Sequence, residues 1–249
     1  MLQTKMEKLY SKNYYLNAGE CNTEGELPMW ALVGHIIEVA TLHANSWGVG
    51  YAHLIKHNQA WVLSRVTVEM QRYPRVDEHY TITTWIEDYN SYFSQRNFEI
   101  QDAEGHSLGF VRTIWMVIDL AKRTGADIAD LSYLHENVSN RPCPIEPQER
   151  LRPLSGGETT THRVSYTDCD FNRHMNTVRY VELLMNQFDL SFFDKFHLQR
   201  VELAFLKETR YGEEVTLVRA EEEPRTWRVN LMAEGTDHVR SRFMFRPRE

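Results

Sequence analysis

The chain has 249 residues, 42% of them hydrophobic, and 35 acidic against 28 basic side chains leave a net charge of −7. An acidic balance offers no general attraction to nucleic acid or to an anionic membrane, and no apolar run approaches the roughly 18 residues of a transmembrane helix. Three cysteines, Cys21, Cys143 and Cys169, form an odd set without metal-type spacing, which suits a reducing compartment better than a disulfide framework.

From the amino terminus, Met1 to Tyr15 mixes Lys5, Lys8 and Lys12 with Glu7 and lacks the apolar core of a secretion signal, so a cytoplasmic location is expected. Pro28 to about Trp47 carries Val33, Ile36, Ile37, Ala40 and Ala44 on one face, the spacing of an amphipathic helix. Trp61 to Arg72, His79 to Asp88, Tyr92 to Asp102 and Ser107 to Asp119 alternate or are rich in β-branched and aromatic residues, and read as strands. Arg141 to Gly157 holds Pro142, Pro144, Pro147 and Pro153 and ends on Gly156 and Gly157, the composition of a linker. Beyond it, Asn176 to about Phe188 shows a second helical stripe of Val178, Val181, Leu184, Met185 and Phe188. Leu198 to Glu208, Glu214 to Glu222, Thr226 to Glu234 and His238 to Arg246 read as four further strands.

The element order therefore repeats, and so do residues. Arg65-Val66-x-Val68-x-Met70 is answered by Arg200-Val201-x-Leu203-x-Phe205, and Arg75, Glu78 and Thr81 match Arg210, Glu213 and Thr216 at the same offset. One helix per meandering antiparallel sheet, twice over, predicts an α+β tandem (double) hot-dog fold, each sheet curling around its helix. The expected divisions are 1–140, a linker at 141–157, and 158–249.

The run Asp170-Phe-Asn172-Arg-His174-Met-Asn176 enters the second helix. It sets a carboxylate, a carboxamide and an imidazole at alternate positions of an expected extended segment, beside helix N–H groups that favour negative charge. Such a place suits attack on a carbonyl. Asp168, Asp170 and His174 show no familiar ligand spacing, so no metal is expected. Cys169 reads as a small buried hydrophobe.

At this point the chain resembles the acyl-acyl carrier protein thioesterases, which carry two hot-dog domains in tandem. The resemblance spans nearly the whole chain and rests on Asp170-x-Asn172-x-His174-x-Asn176-x-Val178-x-Tyr180, on Phe205-Leu206-Lys207-Glu208, on Arg72-Tyr73-Pro74 and on Trp115-Met116-Val117-Ile118-Asp119. It implies catalytic roles for Asp170, Asn172, His174 and Glu208, and hydrolysis of acyl-acyl carrier protein without a cofactor. A family reading in which a cysteine follows the Glu meets Thr209 here, which has no evident dedicated base and a far higher pKa than a thiol. On physical grounds His174 is a general base or a proton donor to the leaving thiolate, Glu208 activates water or attacks the carbonyl itself, Asn172 faces the oxyanion, and Asp170 orients Asn172 or His174. Tyr73 takes the place of Glu208 in the first half, and Asn22 to Met29 lacks a histidine, so one active site per chain is expected.

The first half is then free to hold the acyl chain, with Trp30, Val33, Ile36 and Ile37 as candidate lining. An acidic carrier protein implies a basic surface, for which Lys195, Arg200, Lys207, Arg210, Arg225, Arg228, Arg240, Arg242, Arg246 and Arg248 are candidates. Three functions follow in order: an acyl carrier protein thioesterase of bacterial type, an acyl-CoA thioesterase, and a noncatalytic acyl-binding module; a hot-dog dehydratase is a more distant rival. Both monomer and homodimer are compatible with tandem domains.

Overall fold

Among the described residues of the computed structural model, 7–126 and 135–248, eleven strands hydrogen-bond into one antiparallel sheet. Lys5 and the outer ends of the two expected divisions, Met1 and Glu249, lie outside these residues. The first half contributes β1 (Leu9–Tyr15), α1 (Met29–Ser46), α2 (Tyr51–Leu54), β2 (Gln59–Met70), β3 (His79–Tyr89), β4 (Phe93–Asp102), β5 (Ser107–Asp119) and the short β6 (Thr124–Gly125). The second contributes β7 (Glu158–Arg163), α3 (Thr177–Met185), α4 (Leu190–Phe193), β8 (Phe196–Phe205), β9 (Glu214–Glu223), β10 (Thr226–Ala233) and β11 (Thr236–Pro247). Across the sheet the order is β1-β3-β4-β5-β2-β8-β11-β10-β9-β7, with β6 paired to β5.

The fold is the expected double hot-dog, and β2 and β8 join its two sheets into one. Their register shows why the repeat exists. Arg65 faces Ala204 and Glu69 faces Arg200, so each repeat-equivalent residue meets the other's partner, and Thr67 lies opposite Glu202 on the pseudo-twofold axis. This is the isologous contact of a symmetric dimer made within one chain.

Each helix lies where its stripe demands. Leu32, Val33, Ile36, Val39, Ala40 and His43 of α1 are buried at 3.6-residue spacing, and Tyr180, Val181, Leu184 and Met185 of α3 do the same. The two helices pack against each other, Gly34 admitting Val178 so closely that a Cβ there would touch its Cγ2 at 3.4 Å. α3 ends at Met185, short of the expected Phe188, because Asn186 already caps it; Phe188 instead packs edge-on against Trp227, Phe243 and Phe245.

The edge strands β1 and β7 escaped the sequence reading. β1 is Tyr-rich and polar with alternating half-burial, and β7 is a Thr run whose β-branching is its only strand signal. The segment after Asn140 crosses the outer face of the sheet, and arginines from the strands clamp its carbonyls. Arg112 binds those of Cys143 and Ile145, Arg200 that of Glu146, and Arg240 that of Leu151. This corrects the expected basic surface. Arg200, Arg228, Arg240 and Arg242 hold the linker and the carboxylates of Glu69, Glu202, Glu222, Asp237 and Glu149, while Arg246 binds the Gln71 carbonyl and Arg248 binds Glu26. Guanidiniums tied down in this way are structural; Lys195, Lys207, Arg210 and Arg225 remain exposed.

Candidate active site

The residues from Asp170 to His174 form a closed turn, and this corrects the extended segment expected from sequence. Asp170 N–H donates to the His174 carbonyl at 2.8 Å, Arg173 N–H to the Asp170 carbonyl at 3.0 Å, and Arg173 sits at φ 63°. The Asp170 carboxylate accepts the N–H of Asn172 at 2.8 Å and of His174 at 3.4 Å, an Asx-type closure. Its second oxygen accepts the Asn172 carboxamide at 3.4 Å, so Asp170 shapes the turn and aims Asn172 without touching the imidazole. Asn176 then caps α3 by accepting the Val178 N–H at 2.9 Å.

The second half of the site comes from the loop after β8. His174 pairs with Arg210 in a β-bridge and Met175 N–H donates to the Thr209 carbonyl at 2.8 Å, which brings Glu208 to the imidazole. His174 Nε2 and Glu208 Oε2 stand 3.3 Å apart, one half-buried and the other exposed. The same oxygen accepts from Arg123 Nη1 at 3.0 Å. Arg123, at the turn between β5 and β6, belongs to the first half of the chain, and sequence reasoning passed over it. Its only signal was its place just past Trp115-Met116-Val117-Ile118-Asp119, where a hairpin would return it to the sheet edge.

Thr209 carries a second correction. A base does stand beside it, since its hydroxyl meets His238 Nδ1 at 2.7 Å, but Thr209 is wholly inaccessible and cannot reach a substrate. Its N–H donates to the Tyr180 hydroxyl at 2.9 Å, and burial pushes that phenol up to about 12. Thr209, His238 and Tyr180 thus anchor the backbone next to Glu208. Cys169 is held as a thiol, its pKa raised by burial and by the charges of Asp168 and Asp170. Asp168 turns away to His162 and Ser165; burial alone would raise its carboxyl, and the Ser165 N–H and the His162 and Ser165 side chains outweigh it and hold it low.

The first half contains the same turn without the chemistry. Asn22 N–H donates to the Glu26 carbonyl at 2.9 Å, the Asn22 carboxamide oxygen accepts from Glu24 and Glu26 N–H, and Gly25 takes φ 70° where Arg173 has 63°. Glu26 bridges Arg75 as His174 bridges Arg210. Glu26, in the histidine's place, is buried against Arg248 with two contacts of 3.0 Å, and Tyr73, in the place of Glu208, donates to the Leu198 carbonyl at 3.0 Å. Packing and an ion pair fill this copy.

Of the expected lining residues, Val33 and Ile36 are inaccessible core and Trp30 and Ile37 are half-buried against it. A small cavity of about 50 Å³, below the usual size of a ligand pocket and with room for the end of a chain, lies farther along α1, bordered by Ala40, Ala44, Trp47, Trp61 and Trp115. Two segments link it to the turn at Asp170 to His174. Four residues past Trp47, Tyr51 packs edge-on against Phe171 with centroids 5.5 Å apart, and β5 runs from Trp115 to the hairpin of Arg123.

With this geometry in place, the profile of the acyl-ACP thioesterase N-terminal domain matches residues 7–133, and that of the C-terminal domain matches 152–247. The chain belongs to the acyl-ACP thioesterase family. Among solved structures this family member is similar to an acyl-ACP thioesterase from Bacteroides thetaiotaomicron, at 29% identity and a TM-score of 0.89 over 96% of this chain and 98% of that one. The 12:0-ACP thioesterase from Umbellularia californica shares the fold at 18% identity, with a TM-score of 0.86 over 96% and 98% of the two chains. The chloroplastic palmitoyl-acyl carrier protein thioesterase of Gossypium hirsutum is 22% identical over 222 residues, which is 80% of this chain and 52% of that protein. The chain spans about half the length of the curated relatives it matches. Within the family fold, the catalytic candidates Asn172, His174 and Glu208 lie at the seam between the two hot-dog halves, and no helix among the described residues is long and apolar enough to cross a membrane.

Proposed function

We propose that the chain hydrolyses the thioester of acyl-acyl carrier protein to free fatty acid and carrier thiol, as a step of fatty acid biosynthesis. The observation that carries this reading is the His174–Glu208 contact at 3.3 Å, made by two segments of the second half and completed by Arg123 from the first. Two cationic or donor partners share one Glu208 oxygen, which lowers its value as a nucleophile and leaves it to orient and charge-balance the imidazole. His174 takes a proton from water as the oxygen adds to the carbonyl carbon. The Asn172 amide stabilises the oxyanion, a role in which one donor is worth roughly 3 kcal/mol. The C–S bond then breaks and the thiolate receives the proton from His174. Residues 158–249 supply this chemistry, residues 1–140 hold the acyl chain, and 141–157 tie them together. Three free thiols fit a cytoplasmic protein.

Exposed Lys207 and Arg210 flank Glu208, with exposed Leu206 and Tyr211 nearby in sequence and exposed Phe171 next to Asn172, a mixed basic and apolar rim suited to an acidic carrier domain. The test is turnover of matched carrier and CoA thioesters over a range of chain lengths, reading free thiol and fatty acid, with His174→Ala and Glu208→Gln alongside. Rates are expected to fall about 100-fold or more in each variant. Preference for CoA would move the reading to acyl-CoA hydrolysis, and acyl binding without turnover would leave a binding module.

A further inference from the structure

The cavity under α1 is apolar except on one wall. β4 presents Ser94, Arg96, Phe98 and Ile100 to the interior at alternate positions. Phe98 and Ile100 join the core, whereas Ser94 and Arg96 border the cavity with Trp47, Trp61 and Trp115. Arg96 is only 6% exposed. Its Nη1 donates to His43 Nδ1 at 2.8 Å and to Thr84 Oγ1 at 3.3 Å, and its guanidinium lies over the Trp47 ring.

Every one of these partners is uncharged. Burial and Arg96 itself push the His43 pKa down to about 3, so the ring is neutral, accepting at Nδ1 and donating from Nε2 to the Glu7 carbonyl. Among the described residues no carboxylate lies within ion-pair distance of Arg96, and burial alone lowers its pKa to about 9. The indole N–H of Trp47, at the end of α1 beneath the Arg96 guanidinium, is buried without an acceptor. A cavity wall with a desolvated cation, a spare donor and no counter-charge is costly unless an acceptor arrives from outside the chain. None of Asp170, Asn172, His174 or Glu208 borders the cavity, so what enters it is not the reacting carbonyl.

We propose that Arg96 and Trp47 recognise an oxygen acceptor, hydroxyl or carboxylate, carried on the acyl chain away from its thioester. The inference rests on the acyl-thioester reading and narrows its substrate class to oxygenated chains.

Binding is measured by calorimetry with non-hydrolysable acyl-pantetheine amides of matched length ending in methyl, hydroxyl or carboxylate. At least one oxygenated amide is expected to bind about 10-fold or more tightly than the methyl one, because a site built for a polar group rejects the analogue lacking it. Arg96→Met, of similar length and checked for folding by thermal melting, is expected to lose that preference, and Arg96→Lys to keep it for the carboxylate. Which oxygenated chain wins separates a charged from a neutral acceptor. Equal or tighter binding of the methyl amide by the native protein would overturn the proposal. Because binding is read without turnover, oxygenated amides that bind while no thioester is cleaved would sink the hydrolase reading alone.

Discussion

Glu208 illustrates how little a residue's local sequence reveals of its work. Beside Lys207 and Arg210 it looks like a solvated ion-pair member, yet its partners are His174 and Arg123, 34 and 85 residues away in sequence. The Arg123–Glu208 pair is open to solvent on both sides, so it contributes less than about 1 kcal/mol to stability. Its effect belongs to positioning. Arg123→Met is expected to leave the melting temperature nearly unchanged while lowering kcat about 10-fold, with partial recovery in Arg123→Lys; displacing a catalytic group by an ångström costs up to about 100-fold. An unchanged kcat in a folded Arg123→Met protein would assign the pair to the surface. His174 and Asn172 were legible because their spacing before a helix is a pattern, whereas Arg123 depends on a hairpin folding back across the seam.

At the scale of elements, the candidate turn is a cap joined to a helix. Asn176 caps α3 while its own N–H donates to the Asp168 carbonyl at 2.8 Å, so the turn and the helix start share their hydrogen bonds. Asn176→Ala is expected to lower unfolding free energy by about 1 kcal/mol in urea titration. The strand β8 matters more, because it carries the seam. Glu202 is 1% exposed and is held by Arg200 and Arg242. Replacing it with Ala leaves the buried Arg200 and the half-buried Arg242 only their outer carboxylates, Glu69 and Glu149, and is expected to cost about 3 kcal/mol, read by the same titration. The two long helices, α1 and α3, and eight of the eleven strands could be read from periodicity, whereas the short α2, α4 and β6 were passed over. β1 and β7 could not, since an edge strand buries only one side of its side chains and keeps a polar composition.

For the whole molecule, two hot-dog units in one chain remove the symmetry a homodimer would impose. One copy of the turn carries His174 against Glu208; the other carries Glu26 against Arg248 with Tyr73 packed beside it. The first half, whose turn has no imidazole, keeps a cavity under α1. The same division shapes the surface. Arg200, Arg228, Arg240, Arg242 and Arg248 are spent on the linker and on carboxylates, while Lys207 and Arg210 stay exposed on either side of Glu208. Raising ionic strength is therefore expected to reduce kcat/KM for carrier-linked substrate more than for a small thioester, because only the former docks through screened charges. Equal salt sensitivity would remove electrostatic docking.

The sequence by itself determined the tandem architecture, the helix stripes, most strands and the motif from Asp170 to Asn176, because each is written in spacing along the chain: 3.6 for a helix, two for a strand, and a constant offset for the repeat. Only the tertiary structure decided that the motif closes into a turn, that Arg123 joins Glu208, that Thr209 is sealed beneath His238, and that Arg96 stands uncompensated in a cavity wall. The reason is physical. These are contacts between segments far apart in sequence, set by sheet register and helix packing, and no local period records which distant side chain a strand will deliver to its neighbour.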